Sequence, residues 1–254
     1  MKKYLAIAAL MMASVCASAQ SKPEPYFSFR ELPNMLKWCP APPDTAGAAF
    51  TYDIMQYMWG KEMRHNKERA DIAVRDAVYS LECIAQEFSE PFGLKISEDE
   101  TPEIWKLLRD AKATCENISG FPKFYYKRKR PFVRFQEPTA TPEFEPELRR
   151  NFSYPSGHTI LGWASALLLT EINPERADTI LARGMMYGES RVIVGAHWQR
   201  DVDAGRLAAA AAYARMHTSE RFLEQMRLAR QEFRIKTGLA TVIEMKAYRK
   251  SRSK

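Results

Sequence analysis

The hydrophobic pattern of this 254-residue chain is helical almost throughout, and this feature limits its fold more than any other. Apolar residues recur at helical spacing in segment after segment, whereas the strict alternation typical of half-buried strands is nearly absent. Start signals such as Asp44 and Thr101 precede several of these segments. The pattern predicts helices at about 44–67, 68–90, 101–118, 121–129, 157–171, 174–196, 199–217 and 219–236. We therefore predict an all-α fold, a single-domain helical bundle.

The first nineteen residues have the layout of a secretory signal peptide. Lys2 and Lys3 give it a positive start, residues 5–15 an apolar core, and residues 17–19 a small-residue cleavage site. A lipoprotein anchored through Cys16 is the weaker interpretation, because a bulky valine precedes that cysteine. Cleavage would leave one domain, 20–254, with an irregular proline-rich stretch at 20–43 and a basic tail at 246–254. No later apolar run reaches the ~18 residues that a membrane span requires.

Charge and cysteine content narrow the possible partners. The formal net charge of +7 falls to +5 once Lys2 and Lys3 are removed, and this permits a basic protein that binds anions or nucleic acid without catalysis. The basic residues nevertheless lack a nucleic-acid motif or an aromatic-interleaved stripe, so we predict no nucleic-acid partner. After cleavage the cysteines are Cys39, Cys83 and Cys115. We expect a Cys83–Cys115 disulfide, because both lie on predicted helices, and one free thiol.

Three short segments bring cationic, imidazole and carboxylate side chains into one chain. They are Lys123-x6-Arg130-Pro131, then Pro155-Ser156-Gly157-His158, then Ser190-Arg191-x5-His197-x3-Asp201. Basic clamps, two imidazoles and one carboxylate are the groups needed to hold a phosphate and to displace its ester oxygen. Each segment alone is ordinary turn, helix-surface or basic-face chemistry, but their joint occurrence indicates a site. The remaining histidines, His65 and His217, are predicted to lie on the surface.

The spacing of the first two segments predicts an anion cradle. Lys123 and Arg130 are seven residues apart, so on one helix ended by Pro131 they would project from nearly the same face. Ser156 and Gly157 come just before a strongly apolar helical run. The free N–H groups at the start of such a helix bind anions, and glycine lets a ligand approach the backbone closely.

The third segment predicts an oriented nucleophile. His197 and Asp201 are four residues apart, so on one helix they would share a face. The carboxylate would then accept the Nδ1 proton and leave Nε2 bare for attack on phosphorus, while His158 donates a proton to the leaving oxygen. Arg191 would add a second guanidinium from the segment that enters this helix. Asp203 points elsewhere on the helix and is the weaker candidate for the carboxylate.

A metal site is the main rival for any His/Asp pair. A divalent ion needs several carboxylates or a cluster of histidines and cysteines. Here one aspartate stands against Lys123, Arg130 and Arg191, and that balance would repel a cation. We therefore predict no metal and no cofactor.

The three-part pattern resembles that of the acid phosphatase superfamily, which includes type-2 phosphatidic acid phosphatases and vanadium haloperoxidases. Within it, Ser153–Thr159 with the following Gly162-Trp163-Ala164 is similar to the bacterial class A non-specific acid phosphatases, and the similar stretch runs from about Phe50 to Phe233. The resemblance implies an all-α core with the site between helices. It also implies a periplasmic location and broad activity on phosphomonoesters at acidic pH.

The resemblance also assigns roles. It makes His197 the nucleophile that forms a phosphohistidine, His158 the leaving-group acid and Asp201 the orienter of His197. The phosphate oxygens would be held by Lys123, Arg130, Ser156, Gly157 and Arg191. The expected partners are small phosphomonoesters, with inhibition by phosphate and vanadate, and a homo-oligomer is possible. A vanadate-dependent haloperoxidase remains an alternative, whereas a lipid phosphatase lacks its usual membrane spans here.

Overall fold

The structure is a computed structural model that describes residues 22–251. Its α-helices are α1 Ala48–Met63, α2 Lys67–Arg75, α3 Leu81–Phe92, α4 Pro102–Tyr126, α5 Pro131–Phe135, α6 Glu145–Leu148, α7 Gly157–Ile172, α8 Ala177–Ile193, α9 Gln199–Met216, α10 Glu220–Lys236 and α11 Val242–Ser251. Short 3-10 turns lie at Met35–Lys37, Pro142–Phe144 and Pro174–Arg176. No strand occurs within residues 22–251. The predicted all-α fold is therefore confirmed.

The first predicted helices differ from the observed ones in how the chain is divided. The segment predicted as 68–90 forms two helices, α2 and α3, because Ser80 interrupts it and caps α3 by accepting the Cys83 N–H at 3.0 Å. Conversely, the segments predicted as 101–118 and 121–129 form the single helix α4, which continues through Gly120 and Pro122. The packing of α4 against α7, α9 and α10 outweighs the low helix propensity of those two residues.

The end of α4 separates two residues that we predicted to share a helix. Lys127 adopts a left-handed conformation at φ 46°, and its N–H bonds to Lys123 O at 3.0 Å, which stops the helix. The chain then runs extended through Arg130, and Pro131 opens α5 instead of ending a helix. The prediction of one helix carrying Lys123 and Arg130 is therefore wrong, and the two cations approach each other from separate segments.

Helix α7 lies at the centre of the molecule, packed against α4, α8 and α9. Its residues are apolar on nearly every side and most are buried. The approach of α9 to α7 is very close at Gly205, where an added Cβ would lie 2.9 Å from Thr159 Cβ and 3.0 Å from Ser156 O. This contact fixes the start of α7 relative to the start of α9, and both of the later motif segments lie at these helix starts.

The two ends of the chain give mixed outcomes. Residues 22–43 are irregular as predicted, apart from the turn at Met35–Lys37, whereas the predicted signal peptide lies outside the described residues. Of the predicted basic tail, 246–254, the first six residues belong to helix α11, which ends at Ser251. The helix starts where Thr241 N donates to Glu244 Oε2 at 2.6 Å, and Arg234 Nε binds the same carboxylate at 3.0 Å.

The predicted Cys83–Cys115 disulfide is wrong, because Cys39, Cys83 and Cys115 are all free thiols. Cys83 points to the end of α2, where its Sγ donates to Arg75 O at 3.3 Å. Cys115 instead faces the core from α4, in the same buried cluster as Cys39. Helical placement alone did not bring the two side chains together.

Among the described residues, no helix is both long and apolar enough to cross a membrane.

Candidate active site

A cavity of about 410 Å³ opens where α4, α7 and α8 meet the segments before α5 and α9. Its walls include six of the predicted site residues, namely Lys123, Arg130, Gly157, His158, Arg191 and His197. The other two lie behind these walls: Ser156 caps α7 and Asp201 contacts His197. The structure thus brings together the three motif segments, which are far apart in the sequence.

His197 has one ring nitrogen towards a carboxylate and the other towards a guanidinium. Its Nδ1 lies 3.3 Å from Asp201 Oδ2, and its Nε2 lies 2.9 Å from Arg130 Nη1. An arginine can only donate, so Nε2 is the unprotonated nitrogen and Nδ1 carries the proton. The pairing does not use one helical face as predicted, because His197 precedes α9 and Asp201 lies in its first turn. Burial and the Arg130 charge lower the pKa of His197 well below its usual value.

Asp201 is held by more partners than the sequence indicated. Its Oδ2 also accepts a hydrogen bond from Ser153 Oγ and one from Trp198 N at 2.9 Å, and its Oδ1 accepts from Arg128 Nη1 at 2.6 Å. Burial alone would raise the pKa of Asp201, but Arg128, His197 and Ser153 outweigh it and lower the pKa. Sequence reasoning missed Arg128, because it lies in a basic run that is typical of a solvated face.

Lys123 and Arg130 are anchored by backbone carbonyls. Lys123 Nζ donates to Phe152 O at 2.9 Å and to Pro155 O at 2.8 Å. Arg130 donates from Nε to Leu148 O at 3.0 Å and from Nη1 to Ala196 O at 2.9 Å. Its Nη2 donates to the side-chain oxygen of Asn151. These hydrogen bonds fix both cations before an anion binds. Burial and the Arg130 charge lower the pKa of Lys123 to about 7.

Arg191 is a buried guanidinium with donors to spare. It lies in the last turn of α8 and is 1% exposed, yet its Nε and Nη1 have no hydrogen-bond partner among residues 22–251. Burial lowers its pKa to about 10. An unsatisfied buried donor costs free energy, and the cost is larger for a charged group. A bound oxyanion in the adjoining cavity would supply the missing acceptors.

The start of α7 presents backbone groups to the cavity, whereas the Ser156 hydroxyl is turned into the helix. Ser156 is fully buried, and its Oγ accepts from Thr159 N at 3.3 Å and from Thr159 Oγ1 at 2.9 Å, so the hydroxyl serves as the helix cap. Gly157 lines the cavity, and an added Cβ there would meet no atom of the described residues within 4 Å. The space in front of Gly157 is thus open to a ligand that approaches the backbone.

His158 exposes the opposite ring nitrogen to that of His197. Its Nε2 lies 3.0 Å from Ala77 O, a pure acceptor, so Nε2 carries a proton and Nδ1 is left to react. The imidazole packs against the Tyr79 ring at 4.8 Å between centroids. Burial and the Arg191 charge lower its pKa well below the usual range. Neither Ala77 nor Tyr79 carries a sequence motif, so these contacts could not be foreseen.

The two histidines outside the motifs differ. His65 is exposed, as predicted. His217 is partly exposed and is also paired: its Nε2 lies 3.0 Å from Glu171 Oε2 and its Nδ1 lies 2.9 Å from Tyr213 O. Within residues 22–251, no group of three or more histidine, cysteine, aspartate or glutamate side chains is arranged to hold a metal ion.

The chain is similar to known proteins over most of its length. Residues 111–223 match the PAP2 superfamily. The non-specific acid phosphatase of Providencia stuartii is 40% identical over 244 residues, which cover 92% of this chain and 98% of that protein. The chain belongs to the bacterial non-specific acid phosphatases of the PAP2 superfamily. The non-specific acid phosphatase of Salmonella typhimurium is 39% identical over 93% of the chain, and it is covered to 94% of its own length.

A more distant relative gives the same family assignment. The acid phosphatase of Zymomonas mobilis is 33% identical over 227 residues, which are 89% of this chain and 85% of that protein. The resemblance seen in the motifs is therefore confirmed, and with it the prediction that the chain is a phosphatase enzyme. The haloperoxidase and the non-enzymatic interpretations have no counterpart among these relatives.

Proposed function

We propose that this phosphatase hydrolyses a broad range of phosphate monoesters through a phosphohistidine on His197, without a metal ion. One observation supports the proposal: Lys123, Arg130 and Arg191 line one cavity, and within the described part of the chain two Arg191 nitrogens there lack acceptors. Three fixed cations are suited to the charge that spreads over the equatorial oxygens during phosphoryl transfer. The same charges would repel a divalent cation.

In the first step, His197 Nε2 attacks phosphorus and the ester P–O bond breaks. Because Arg130 donates to Nε2 at 2.9 Å, substrate binding has to exchange this hydrogen bond for one to a phosphate oxygen. Asp201 accepts a hydrogen bond from Nδ1–H and stabilises the positive charge that the imidazole gains. His158 gives a proton from Nδ1 to the leaving oxygen, while its Nε2–H stays on Ala77 O.

In the second step, water attacks the phosphohistidine on the side that the alcohol has left. His158, now neutral, accepts a proton from this water, the N–P bond breaks, and inorganic phosphate leaves. His197 returns to its neutral form with Nε2 unprotonated. Because phosphate is the product and vanadate resembles the phosphoryl transition state, we expect both ions to inhibit the enzyme.

The location follows from the N-terminal segment and not from the fold. Residues 1–19 have the signal-peptide layout, so we propose export to the periplasm and a mature chain, 20–254, that starts at Gln20. N-terminal sequencing of the protein from a periplasmic extract tests this. A mature protein that retains Lys2 and Lys3 would contradict it.

The activity is tested with p-nitrophenyl phosphate and the mature protein in the presence of EDTA. We expect full hydrolysis with EDTA, inhibition by vanadate, and no bromide oxidation when vanadate and peroxide are added. Strict dependence on an added divalent metal would contradict the mechanism, and bromide oxidation would indicate the haloperoxidase alternative.

A further inference from the structure

Arg128 connects two carboxylates that are both removed from water. Its Nη1 donates to Asp201 Oδ1 at 2.6 Å, and its Nη2 donates to Asp53 Oδ2. The Arg128 side chain is 8% exposed, and both carboxylates are fully buried. The guanidinium also packs over the Trp198 ring, 5.5 Å from its centroid. Arg128 is therefore an internal bridge, although the residues around it in the sequence form a basic surface run.

Asp53 comes from α1, which carries none of the predicted site residues. Its other oxygen, Oδ1, accepts the backbone N–H of Arg200 at 2.9 Å, at the start of α9. Burial raises the pKa of Asp53, while Arg128 and the Arg200 N–H oppose that rise. Burying a carboxylate costs free energy that pairing only partly returns. Burial of Asp53 therefore lowers the stability of the fold, and it places a second negative charge behind Asp201.

The charges of this bridge do not cancel. Two carboxylates share one guanidinium, so Asp53, Arg128 and Asp201 together carry one net negative charge. If Arg128 paired with Asp201 alone, the pair would be neutral towards His197. By drawing on the same guanidinium, Asp53 leaves Asp201 more negative at Oδ2, the oxygen that lies 3.3 Å from His197 Nδ1. His197 needs this charge when its imidazole becomes cationic.

We propose that Asp53 and Arg128 are positioning residues for catalysis, which fix the Asp201 carboxylate and set the negative charge that it presents to His197. The inference rests on the proposed phosphohistidine route. Arg128 holds Oδ1, so that Oδ2 stays aligned with the imidazole, Ser153 and the Trp198 N–H. Asp53 in turn fixes Arg128 and ties α1 to the start of α9.

The charged groups around His197 define the expected pH effect. Arg130 and Lys123 face it from one side, and Arg191 and His158 lie across the cavity. Negative charge comes from the Asp201 side and from the exposed Glu147 carboxylate in the cavity wall. Loss of the Asp53 charge would therefore make the imidazolium less stable and lower the pKa of His197 further. The acid limb of kcat/KM would move to lower pH, although attack itself becomes slower.

The test uses Asp53→Asn and Arg128→Lys, with Asp203→Asn and Arg134→Lys as matched controls. Asp203 is a partly exposed carboxylate on α9 that bonds Gln199 and Arg206, and Arg134 is an exposed guanidinium over the Phe50 ring. Rapid quenching with a labelled aryl phosphate gives the rate of phosphoenzyme formation. We expect a loss of about ten-fold or more in both bridge variants, with KM within about two-fold of the parent value and both controls at the parent rate.

A third variant separates charge from position. Asp53→Glu keeps the charge on a longer arm, so it should slow phosphoenzyme formation and leave the acid limb in place, whereas Asp53→Asn should shift that limb to lower pH. If the bridge variants lose thermal stability but match the controls in the rate of phosphoenzyme formation and in the position of the acid limb, the bridge is merely structural. If the parent enzyme forms no phosphohistidine, the proposed function fails instead, so the two failures are distinguishable.

Discussion

In the proposed mechanism the two site histidines react through different ring nitrogens, and the hydrogen-bond acceptor beside each ring decides which. Ala77 O accepts a hydrogen bond from the Nε2–H of His158, so this residue would act as the acid through Nδ1. Asp201 accepts a hydrogen bond from the Nδ1–H of His197, so this residue would act as the nucleophile through Nε2. The two assignments differ because a backbone carbonyl contacts Nε2 in one histidine and a carboxylate contacts Nδ1 in the other.

The electrostatics of these residues predict the pH dependence. Burial and the cations lower the pKa of both histidines, so His197 stays neutral well into acid, while a bound phosphate dianion raises the pKa of His158 again. Lys123, with its pKa near 7, loses its charge as the pH rises through neutrality, and phosphate binding weakens. We expect a bell-shaped curve of kcat/KM centred below pH 7, with limbs that belong to the coupled groups.

Comparison of leaving groups checks the role of His158 in that curve. The alkaline limb of the pH curve should be flatter for p-nitrophenyl phosphate than for an alkyl phosphate, because nitrophenolate leaves with little protonation. An optimum above about pH 8, which is well clear of the imidazole range, would contradict His158 as the acid.

Arg191→Lys should be damaging although it keeps the charge. An ammonium group cannot replace the two unpartnered nitrogens, Nε and Nη1, that Arg191 holds beside the cavity. We expect kcat/KM to fall by an amount that corresponds to a loss of about 1.5–3 kcal/mol in transition-state stabilisation. We also expect vanadate to inhibit this variant more weakly. Arg227→Lys, on the exposed pair with Glu224, serves as the control and should match the parent enzyme. Equal vanadate inhibition in both variants would mean that Arg191 does not grip the phosphoryl group.

At the scale of elements, the site depends on how closely α9 approaches the first turn of α7. Gly205→Ala would place a Cβ 2.9 Å from Thr159 Cβ and 3.0 Å from Ser156 O, which forces the two helix starts apart. We expect a destabilisation of about 1–3 kcal/mol in urea unfolding, together with lower activity. Gly120→Ala in α4 is the control, because an added Cβ meets no atom within 4 Å and alanine favours the helix by about 1 kcal/mol. Two equally stable variants would refute this view of the interface.

The sequence revealed the helices and the motif residues, but not how the motifs are presented. Periodicity was sufficient for α7, α9 and α10, whose predicted ends lie within a few residues of the observed ones. It failed at Lys127, because a left-handed non-glycine residue leaves no periodic signal, so Lys123 and Arg130 were placed on one helix. Contacts such as Asp53 with Arg128 span 75 residues and depend on packing, which no local pattern encodes.

At the scale of the whole molecule, one anion should stabilise several segments together. The cavity joins α4, α7 and α8 to the segments before α5 and α9, so a bound oxyanion ties these parts to each other. We expect inorganic phosphate to raise the melting temperature, with a stabilisation of about 2.7 kcal/mol at a concentration of 100 times Kd. The shift should be much smaller in Arg191→Lys and unchanged in Arg227→Lys. Equal shifts in all three proteins would place the bound phosphate elsewhere.

The central claim is that His197 carries the phosphoryl group, and trapping the intermediate tests it most directly. The mature enzyme is mixed with a labelled aryl phosphate in the presence of EDTA, quenched rapidly, and assayed for protein-bound phosphate that is labile to acid and stable to base. We expect this species in the parent enzyme and in His158→Ala with a good leaving group, and none in His197→Ala. The same acid-labile phosphoenzyme in His197→Ala would contradict the account.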